Sequence, residues 1–436
     1  MPSLPSNRTA AKAPGSRTER FARTLGTVTL VYWTLLPTGL LLPLVIGFDV
    51  GVNAIHLGIG LMLLMPTSVV MGPRLEPAAR LPLWHVGLIL VFVAFLVLSS
   101  VNPINSREMI YLHYCIYGLA IVGGLSASVI ARKMGPDAVE VFLTAFCLSM
   151  LVYGSFWLIH LPEMIARAKG DWIAIFWPFA NIRSVGIYFM PAVVGAVIFS
   201  SSYETRGRGG LYLLAATVGM TFLFWTGSRG PLLAIFLSLS AVVWLQPPAD
   251  RRRFVIAAVC VIVVASLLSL LLPRMSPSYG FWQRLLETFF GEGPKVLTGR
   301  GSVWAYTLEK IAAQPWTGYG FVSFLSHPDA EDTWRRHAHN DVLQMWHDFG
   351  VVGGSAGVAL VLVATFRGIT GRRSGVNSLA CVGMVASLLF VAIVDTVVGY
   401  VQSFTFLCLL LGLLAGQARS ATGAEARGSL GRDPRA

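Results

Sequence analysis

The chain has few charged residues. Asp, Glu, Lys and Arg make up 12% of its 436 residues, whereas average soluble domains contain about 25%. Hydrophobic residues make up 55%, so the composition excludes an ordinary soluble enzyme and an intrinsically disordered chain. It is typical of a polytopic membrane protein.

Cysteine is also scarce. Disulfide frameworks and cysteine-based zinc sites need cysteines that are paired or clustered at regular spacing. All five cysteines of this chain lie inside apolar runs, which argues against both kinds of site. They are Cys115, Cys147, Cys260, Cys381 and Cys408.

Long apolar runs dominate the rest of the sequence. A helix crosses the hydrocarbon core of a bilayer with about 20 apolar residues, and the runs predict an all-α polytopic membrane protein with about 12 transmembrane helices. The first run is long and has no cleavage site after it, so we interpret it as a retained span and not as a signal peptide. The predicted spans are 27–47, 53–71, 82–101, 109–131, 138–160, 184–202, 211–227, 231–246, 254–273, 351–366, 378–398 and 401–416.

The positive charges predict the orientation. If the spans alternate from a cytoplasmic N-terminus, both tails and the short basic loops lie on one side, which then carries 21 of the 33 Lys and Arg residues. Because basic residues in short loops stay in the cytoplasm, we expect both termini there. Topology thus accounts for the basic excess, which gives no indication of nucleic-acid binding.

The spans divide the chain into five parts. Residues 1–26 and 417–436 are rich in Ala, Gly, Ser and Arg, and we expect disordered cytoplasmic tails there. Spans one to nine fill 27–273, and spans ten to twelve fill 350–416. Residues 274–349 form one large outer loop, which contains four of the eight histidines and eight carboxylates. This loop is the predicted functional domain, and a solvated cap is the alternative.

Three arginines lie on the outer side, against the general charge trend. Arg183 precedes span six, Arg229 lies between spans seven and eight, and Arg300 lies in the large loop. A guanidinium at membrane depth is costly and usually has a partner, and its planar fork binds phosphate oxygens. The three arginines form a candidate site for a pyrophosphate head group. Ion pairs with carboxylates, or side chains that extend to water, are the alternatives.

His339 is the candidate general base. Residues 337–350 predict a helix that begins at Asn340 or Asp341, so that His339 lies at its N-terminus. An added positive charge is disfavoured there, and a neutral imidazole is the form that a general base needs. A structural histidine, or a metal site with His337, His339 and Asp341, are the alternatives, although the sequence offers no complete ligand set.

Four other residues are weaker candidates. Asp395 is the only carboxylate well inside a predicted span, near the outer end of span eleven, where it could serve the site or pair with an outer arginine. His337, Arg284 and Arg336 lie in the large loop, and no spacing assigns them a role. Residues 300–311 predict a short amphipathic helix along the outer surface, and Gly350 is the predicted end of the helix that follows His339.

Several short motifs follow one another in the second half of the chain. They are Ser228-Arg229-Gly230, Arg300 with Trp304, Pro315 with Gly318-Tyr319-Gly320, and His339-Asn340 followed by Leu343, Gln344, Asp348 and Gly350. Their order resembles a known family, the O-antigen ligase and O-antigen polymerase superfamily. The resemblance covers about residues 180–410, and family enzymes often have Glu where this chain has Asp348.

The resemblance implies a GT-C-like glycosyltransferase of a Gram-negative inner membrane, with its active site on the periplasmic side. The donor would be a glycan on undecaprenyl pyrophosphate, and the acceptor would be a hydroxyl of the lipid A-core oligosaccharide. In the related polymerases the acceptor is another lipid-linked repeat, and in protein O-oligosaccharyltransferases it is Ser or Thr. One large outer loop and a length of 436 residues favour the ligase.

The resemblance also implies a mechanism. Arg183, Arg229 and Arg300 would hold the pyrophosphate, and His339 would take the proton of the attacking hydroxyl, with inversion at the anomeric carbon. Since arginines can stabilise the leaving diphosphate, we expect no metal and no other cofactor. A 12-span transporter is the distant alternative. The sequence shows no internal repeat and few polar residues at the midplane, where transporters place their binding sites.

Overall fold

The computed structural model describes residues 20–31, 83–101, 107–167, 182–202, 207–273, 280–283, 286, 300–327, 337–370 and 375–430, apart from residues 22, 247 and 322. These residues are helical or lie in turns, and no strand occurs among them. The predicted span 53–71 and most of span 27–47 lie outside the described residues.

Eleven helices of the described ranges form the framework of the site. A short 3-10 turn, Ser323–Ser326, follows the eighth of them. The helices are α1 (Leu83–Ser99), α2 (Arg107–Met134), α3 (Asp137–Arg167), α4 (Ile182–Ser200), α5 (Gly209–Thr226), α6 (Arg229–Leu245), α7 (Pro248–Leu271), α8 (Arg300–Ala313), α9 (Asp341–Thr370), α10 (Val376–Val394) and α11 (Val401–Leu430).

Ten predicted spans coincide with these helices. They lie on α1 to α7 and on α9 to α11, and the predicted outer-surface helix at 300–311 corresponds to α8. Within the described residues, six helices are long and apolar enough to cross a membrane, and four shorter helices are also apolar. The described part is therefore all-helical and suited to a membrane, while the total of twelve spans stays a prediction.

Helix α4 lies at the centre of the fold. Every residue from 185 to 199 is buried, and α4 packs against α5, α10 and α6. The outer helices instead expose apolar side chains, such as Leu90 of α1 at 63% and Leu271 of α7 at 78%. Exposed apolar faces of this kind are what lipid contact requires, because lipid offers no partner for polar groups.

Helices α2 and α11 approach each other at glycines. Gly412 and Gly416 stand four residues apart on α11, the spacing that lets two membrane helices pack closely. A Cβ on Gly412 would lie 1.9 Å from the carbonyl oxygen of Gly124, and one on Gly416 would lie 2.4 Å from that of Ser128. The contact is therefore between the two backbones and has no room for a side chain.

Helix α9 is broken at Gly350, as the sequence predicted. Gly350 has φ 71° and ψ 168°, which divides the helix into a short N-terminal part and a long apolar part. A Cβ on Gly350 would lie 2.2 Å from the carbonyl oxygen of Trp316, and the backbone N–H of Val351 donates to the carbonyl of Pro315 at 2.8 Å. The break thus lets the turn after α8 dock on α9.

The disordered C-terminal tail expected over 417–436 stays a prediction. Helix α11 continues to Leu430, beyond the end of the last predicted span. The segment is rich in Ala and contains Arg, Glu and Leu, which have high helix propensity, and its only proline follows at Pro434. The N-terminal tail over 1–26 lies largely outside the described residues.

We predict that Gly412→Ala destabilises the protein and that Gly118→Ala does not. Both positions are helical glycines, but a Cβ on Gly118 meets nothing within 4 Å, whereas one on Gly412 would force α2 and α11 apart at a cost of about 1–3 kcal/mol. Thermal unfolding of the purified protein in detergent checks this. Equal melting temperatures for the two variants would contradict the backbone contact.

Candidate active site

Several chain segments meet at one end of the fold. A Cβ on Gly186, near the start of α4, would lie 3.0 Å from the Oγ of Ser228, which directly precedes α6. A Cβ on Gly230, at the start of α6, would lie 3.6 Å from Val394 and 3.9 Å from Nη2 of Arg300. The beginnings of α4, α6 and α8 therefore lie beside the end of α10.

Asp395 lies at the centre of this region. Its Oδ1 lies 3.0 Å from Nδ1 of His339, and its Oδ2 lies 3.5 Å from Nη2 of Arg300. The Asp395 side chain is 1% exposed, compared with 12% for His339 and 21% for Arg300. Asp395 thus joins the candidate base to one of the candidate pyrophosphate ligands.

The surroundings of Asp395 favour its ionised form. Burial by itself raises the pKa of a carboxyl group, but the hydrogen bond with His339 and the electrostatic interactions with His339, His337 and Arg300 outweigh it and lower the pKa of Asp395 to about 2. The carboxylate is therefore charged at neutral pH. A charged carboxylate accepts the Nδ1–H of His339, which leaves Nε2 of that ring as the acceptor for a proton.

The position of Asp395 differs slightly from the prediction. We expected it inside span eleven, near its outer end, but α10 ends at Val394 and Asp395 has extended backbone angles directly after the helix. Its backbone N–H still donates to the carbonyl of Val391 at 2.7 Å. The helix end therefore fixes the carboxylate at the boundary of the apolar region.

His339 has a strained backbone. Its φ is 52°, the only positive φ of a non-glycine among the described residues, and such a conformation costs on the order of 1 kcal/mol or more. Its N–H donates to Nδ1 of His337 at 3.3 Å. The next residue, Asn340, caps α9 by accepting from the N–H of Leu343 at 3.1 Å and donates to the carbonyl of Ile393 at 3.0 Å.

Asp341 fastens the chain after Asp395 to the start of α9. Its carboxylate accepts the hydroxyl of Thr396 at 2.6 Å, the N–H of Val397 at 2.9 Å and the N–H of Val398 at 3.2 Å. Residues 339–341 and 393–398 thus form a continuous set of polar contacts. This set holds the imidazole of His339 against Asp395.

A potential metal site overlaps the same residues. His337, His339 and Asp395 each offer one ligand atom, and these atoms lie within 4.8 Å of one another. Asp395 supplies the third ligand that the sequence did not reveal, in place of Asp341. The guanidinium of Arg300 lies against the same carboxylate, and its charge would oppose a cation there. The arrangement thus favours a hydrogen-bonded pair over a metal centre.

The other predicted site residues fall into two groups. Arg229 is partly exposed at the first position of α6, next to Gly230 and thus near Arg300, and the backbone of Arg183 lies in the first turn of α4. Arg284 and Arg336 lie outside the described residues. The structure therefore brings the backbone positions of all three main arginine candidates to the end of the fold that holds His339.

The structure also adds residues to which the sequence assigned no role. The hydroxyl of Tyr400 lies 3.2 Å from Nε2 of His337. A second set of polar groups is fully buried and includes His347 and Asp348 of α9. Nε2 of His327 is 2.9 Å from Nε2 of His347, and Nδ1 of His347 is 2.8 Å from Asp348. The spacing of Gln344 and Asp348 on one helix face was a signal for this set.

We predict that Asp395→Asn destabilises the protein in a pH-dependent way. Because folding lowers the pKa of Asp395, the carboxylate stabilises the fold above about pH 4, by on the order of 2 kcal/mol, and this stabilisation is lost as the pH falls towards about 2. The difference in melting temperature from the wild type should be constant between about pH 5 and 8 and should narrow below about pH 4.

Asp137→Asn is the matched control for this prediction. Asp137 forms an exposed ion pair with Arg23 at 3.6 Å, with 62% of the Asp137 side chain accessible, and such pairs contribute little. The melting temperature of Asp137→Asn should stay near that of the wild type over the whole pH range. If the difference in melting temperature between Asp395→Asn and the wild type widens below pH 4, Asp395 is not ionised as we infer.

A family model described as O-antigen ligase matches residues 211–358, about a third of the chain. No curated protein matches it. The match is narrower than the resemblance over 180–410, and it includes Arg229, Arg300 and His339 but neither Arg183 nor Asp395. It confirms the resemblance found in the sequence: residues 211–358 are similar to the O-antigen ligase family.

Proposed function

We propose that the protein is an O-antigen ligase that transfers a glycan from undecaprenyl pyrophosphate to a hydroxyl of the lipid A-core oligosaccharide. The observation that carries this proposal is the contact of His339 with Asp395 and, through it, with Arg300. It lies at one end of helices suited to a membrane, and the family match includes two of its three residues. A base beside a cationic group at such a position suits glycosyl transfer from a lipid diphosphate.

His339 is the proposed general base. With its Nδ1–H held by Asp395, Nε2 takes the proton of the acceptor hydroxyl as the hydroxyl oxygen attacks the anomeric carbon. The bond from that carbon to the pyrophosphate oxygen breaks in the same step, which inverts the anomeric centre. Asp395 keeps the imidazole in the required tautomer and stabilises the imidazolium that forms, a role that carboxylates have beside catalytic histidines.

Arg183, Arg229 and Arg300 are the proposed pyrophosphate ligands. The supporting observation is that their helices begin at the same end of the fold, where Gly230 adjoins Arg300. Helix N-termini add partial positive charge and backbone N–H donors to such a site. Together these groups stabilise the charge that develops on the leaving diphosphate, so that the reaction needs neither a metal ion nor a nucleotide.

The proposed orientation follows from the positive-inside pattern. Both termini lie in the cytoplasm, the protein lies in the inner membrane, and the end with His339 faces the periplasm. The donor's polyprenyl chain then lies among the membrane lipids while its diphosphate reaches the site. The single large outer loop at 274–349 supports the ligase over the polymerase.

A transfer assay tests the proposed function. Purified protein is incubated with undecaprenyl-pyrophosphate glycan and lipid A-core, with and without EDTA. We expect glycosylated lipid A-core in both reactions. Product only without EDTA would keep the ligase but assign a metal to His337, His339 and Asp395. Longer lipid-linked glycans in place of glycosylated lipid A-core would identify a polymerase, and no product from folded protein would reject the proposal.

We predict that His339→Ala lowers the rate of transfer at least about 100-fold, because general base catalysis contributes typically 10²- to 10⁴-fold. The variant should retain donor binding, since the arginines are unchanged. His160→Ala is the control, because this histidine of α3 packs against Phe156 and is not among the residues of the proposed site. Unchanged turnover in His339→Ala would remove His339 as the base.

A further inference from the structure

We propose that Gln344 is a positioning residue that sets the place of His339 by holding the backbone of residue 338. The inference deepens the proposed function and rests on it wherever activity is the readout. Gln344 lies one turn inside α9 and is 5% exposed. The side-chain hydrogen bonds of Gln344 go to the backbone of Ala338 and to Asp348, so its effect on His339 passes through the backbone.

The amide of Gln344 makes two hydrogen bonds in opposite directions. Its Oε1 accepts from the N–H of Ala338 at 2.9 Å, and its Nε2 donates to Oδ1 of Asp348 at 3.0 Å. A backbone N–H can only donate and a carboxylate can only accept, so the amide has one orientation that satisfies both partners. Asp348 therefore decides which way Gln344 faces.

Asp348 is itself held by buried groups. It accepts from Nδ1 of His347 at 2.8 Å, and Nε2 of His347 lies 2.9 Å from Nε2 of His327. The ring of Tyr319 stacks on His347 with centroids 5.1 Å apart. A buried polar network is costly unless its members are paired. Here each member contacts the next, from His327 through His347, Asp348 and Gln344 to Ala338.

The network ends at Ala338, directly before the strained residue His339. Ala338 is 0% exposed and lies between His337 and His339, and His339 has φ 52°. A strained backbone persists only where its surroundings hold it. Without the bond from Ala338 to Gln344, the 337–339 segment can relax to negative φ, which would carry the imidazole of His339 away from Oδ1 of Asp395.

The test compares two substitutions with a matched control. Gln344→Leu keeps the side-chain volume but removes both hydrogen bonds. Gln344→Glu keeps the length, but its carboxylate cannot donate to Asp348. Thr144→Val is the control, because it also keeps the side-chain volume and removes a hydrogen bond, the one between Oγ1 of Thr144 on α3 and the hydroxyl of Tyr212 on α5 at 2.9 Å. Tyr212 lies near the start of α5, at the opposite end of that helix from Ser228 and the proposed site.

The first readout is the kinetics of transfer. We expect kcat to fall about 10- to 100-fold in both Gln344 variants, because a displacement on the order of 1 Å can cost that much. KM for the lipid-linked donor should stay within about twofold, since the arginines are untouched. Thr144→Val should behave like the wild type in both constants. Unchanged kcat, or a raised donor KM at unchanged kcat, would overturn the proposal.

The second readout does not depend on activity. Diethyl pyrocarbonate modifies accessible imidazoles, and mass spectrometry of the full-length protein gives the rate for each histidine. We expect His339 to react about threefold faster or more in Gln344→Leu, because release from Asp395 exposes Nδ1, while His160 keeps its rate as the internal reference. An unchanged rate for His339 would overturn the positioning role.

The outcomes separate this inference from the proposed function. Absence of transfer by the wild type would reject the ligase assignment, and the modification rates would then decide the positioning role alone. Failure of both Gln344 variants to fold, with Thr144→Val folded, would make Gln344 a general structural residue and overturn the inference.

Discussion

The arrangement at the end of the fold that holds His339 depends on one buried carboxylate. Asp395 is 1% exposed, and an ionised carboxylate without water is stable only when charged or hydrogen-bonding partners surround it. Those partners come from elsewhere in the chain: Arg300 begins α8, and His339 precedes α9. The need to satisfy this charge ties α8 and His339 to the end of α10.

Hydrogen bonds from the chain after Asp395 to the start of α9 further fix the position of Asp395. Asp341 at the start of α9 accepts three hydrogen bonds from Thr396, Val397 and Val398, so each segment holds the other. The strain at His339 is sustained because its neighbours on both sides are fixed. A site held in this way loses little free energy to reorganisation during reaction, which is the condition for electrostatic stabilisation of a transition state.

Glycines make the supporting framework rigid. Gly412 on α11 meets the backbone of α2, and Gly318 and Gly350 let the turn after α8 lie against α9 at backbone distance. These contacts have no space for a Cβ, so they define the separation of the helices closely. The same turn carries Tyr319 to the buried histidines, which links the packing of the framework to the geometry of the site.

The sequence by itself determined the features that depend on neighbouring residues. Apolar runs identified ten described helices, an amphipathic pattern identified α8, and Gly350 marked the break of α9, because each follows from local composition. Only the tertiary structure decided that Asp395 is central, that Arg300 and His339 share it, and that Gln344 holds Ala338. Asp395 is separated from His339 by 56 residues and from Arg300 by 95, and the pairing of distant polar groups is set by how the helices pack.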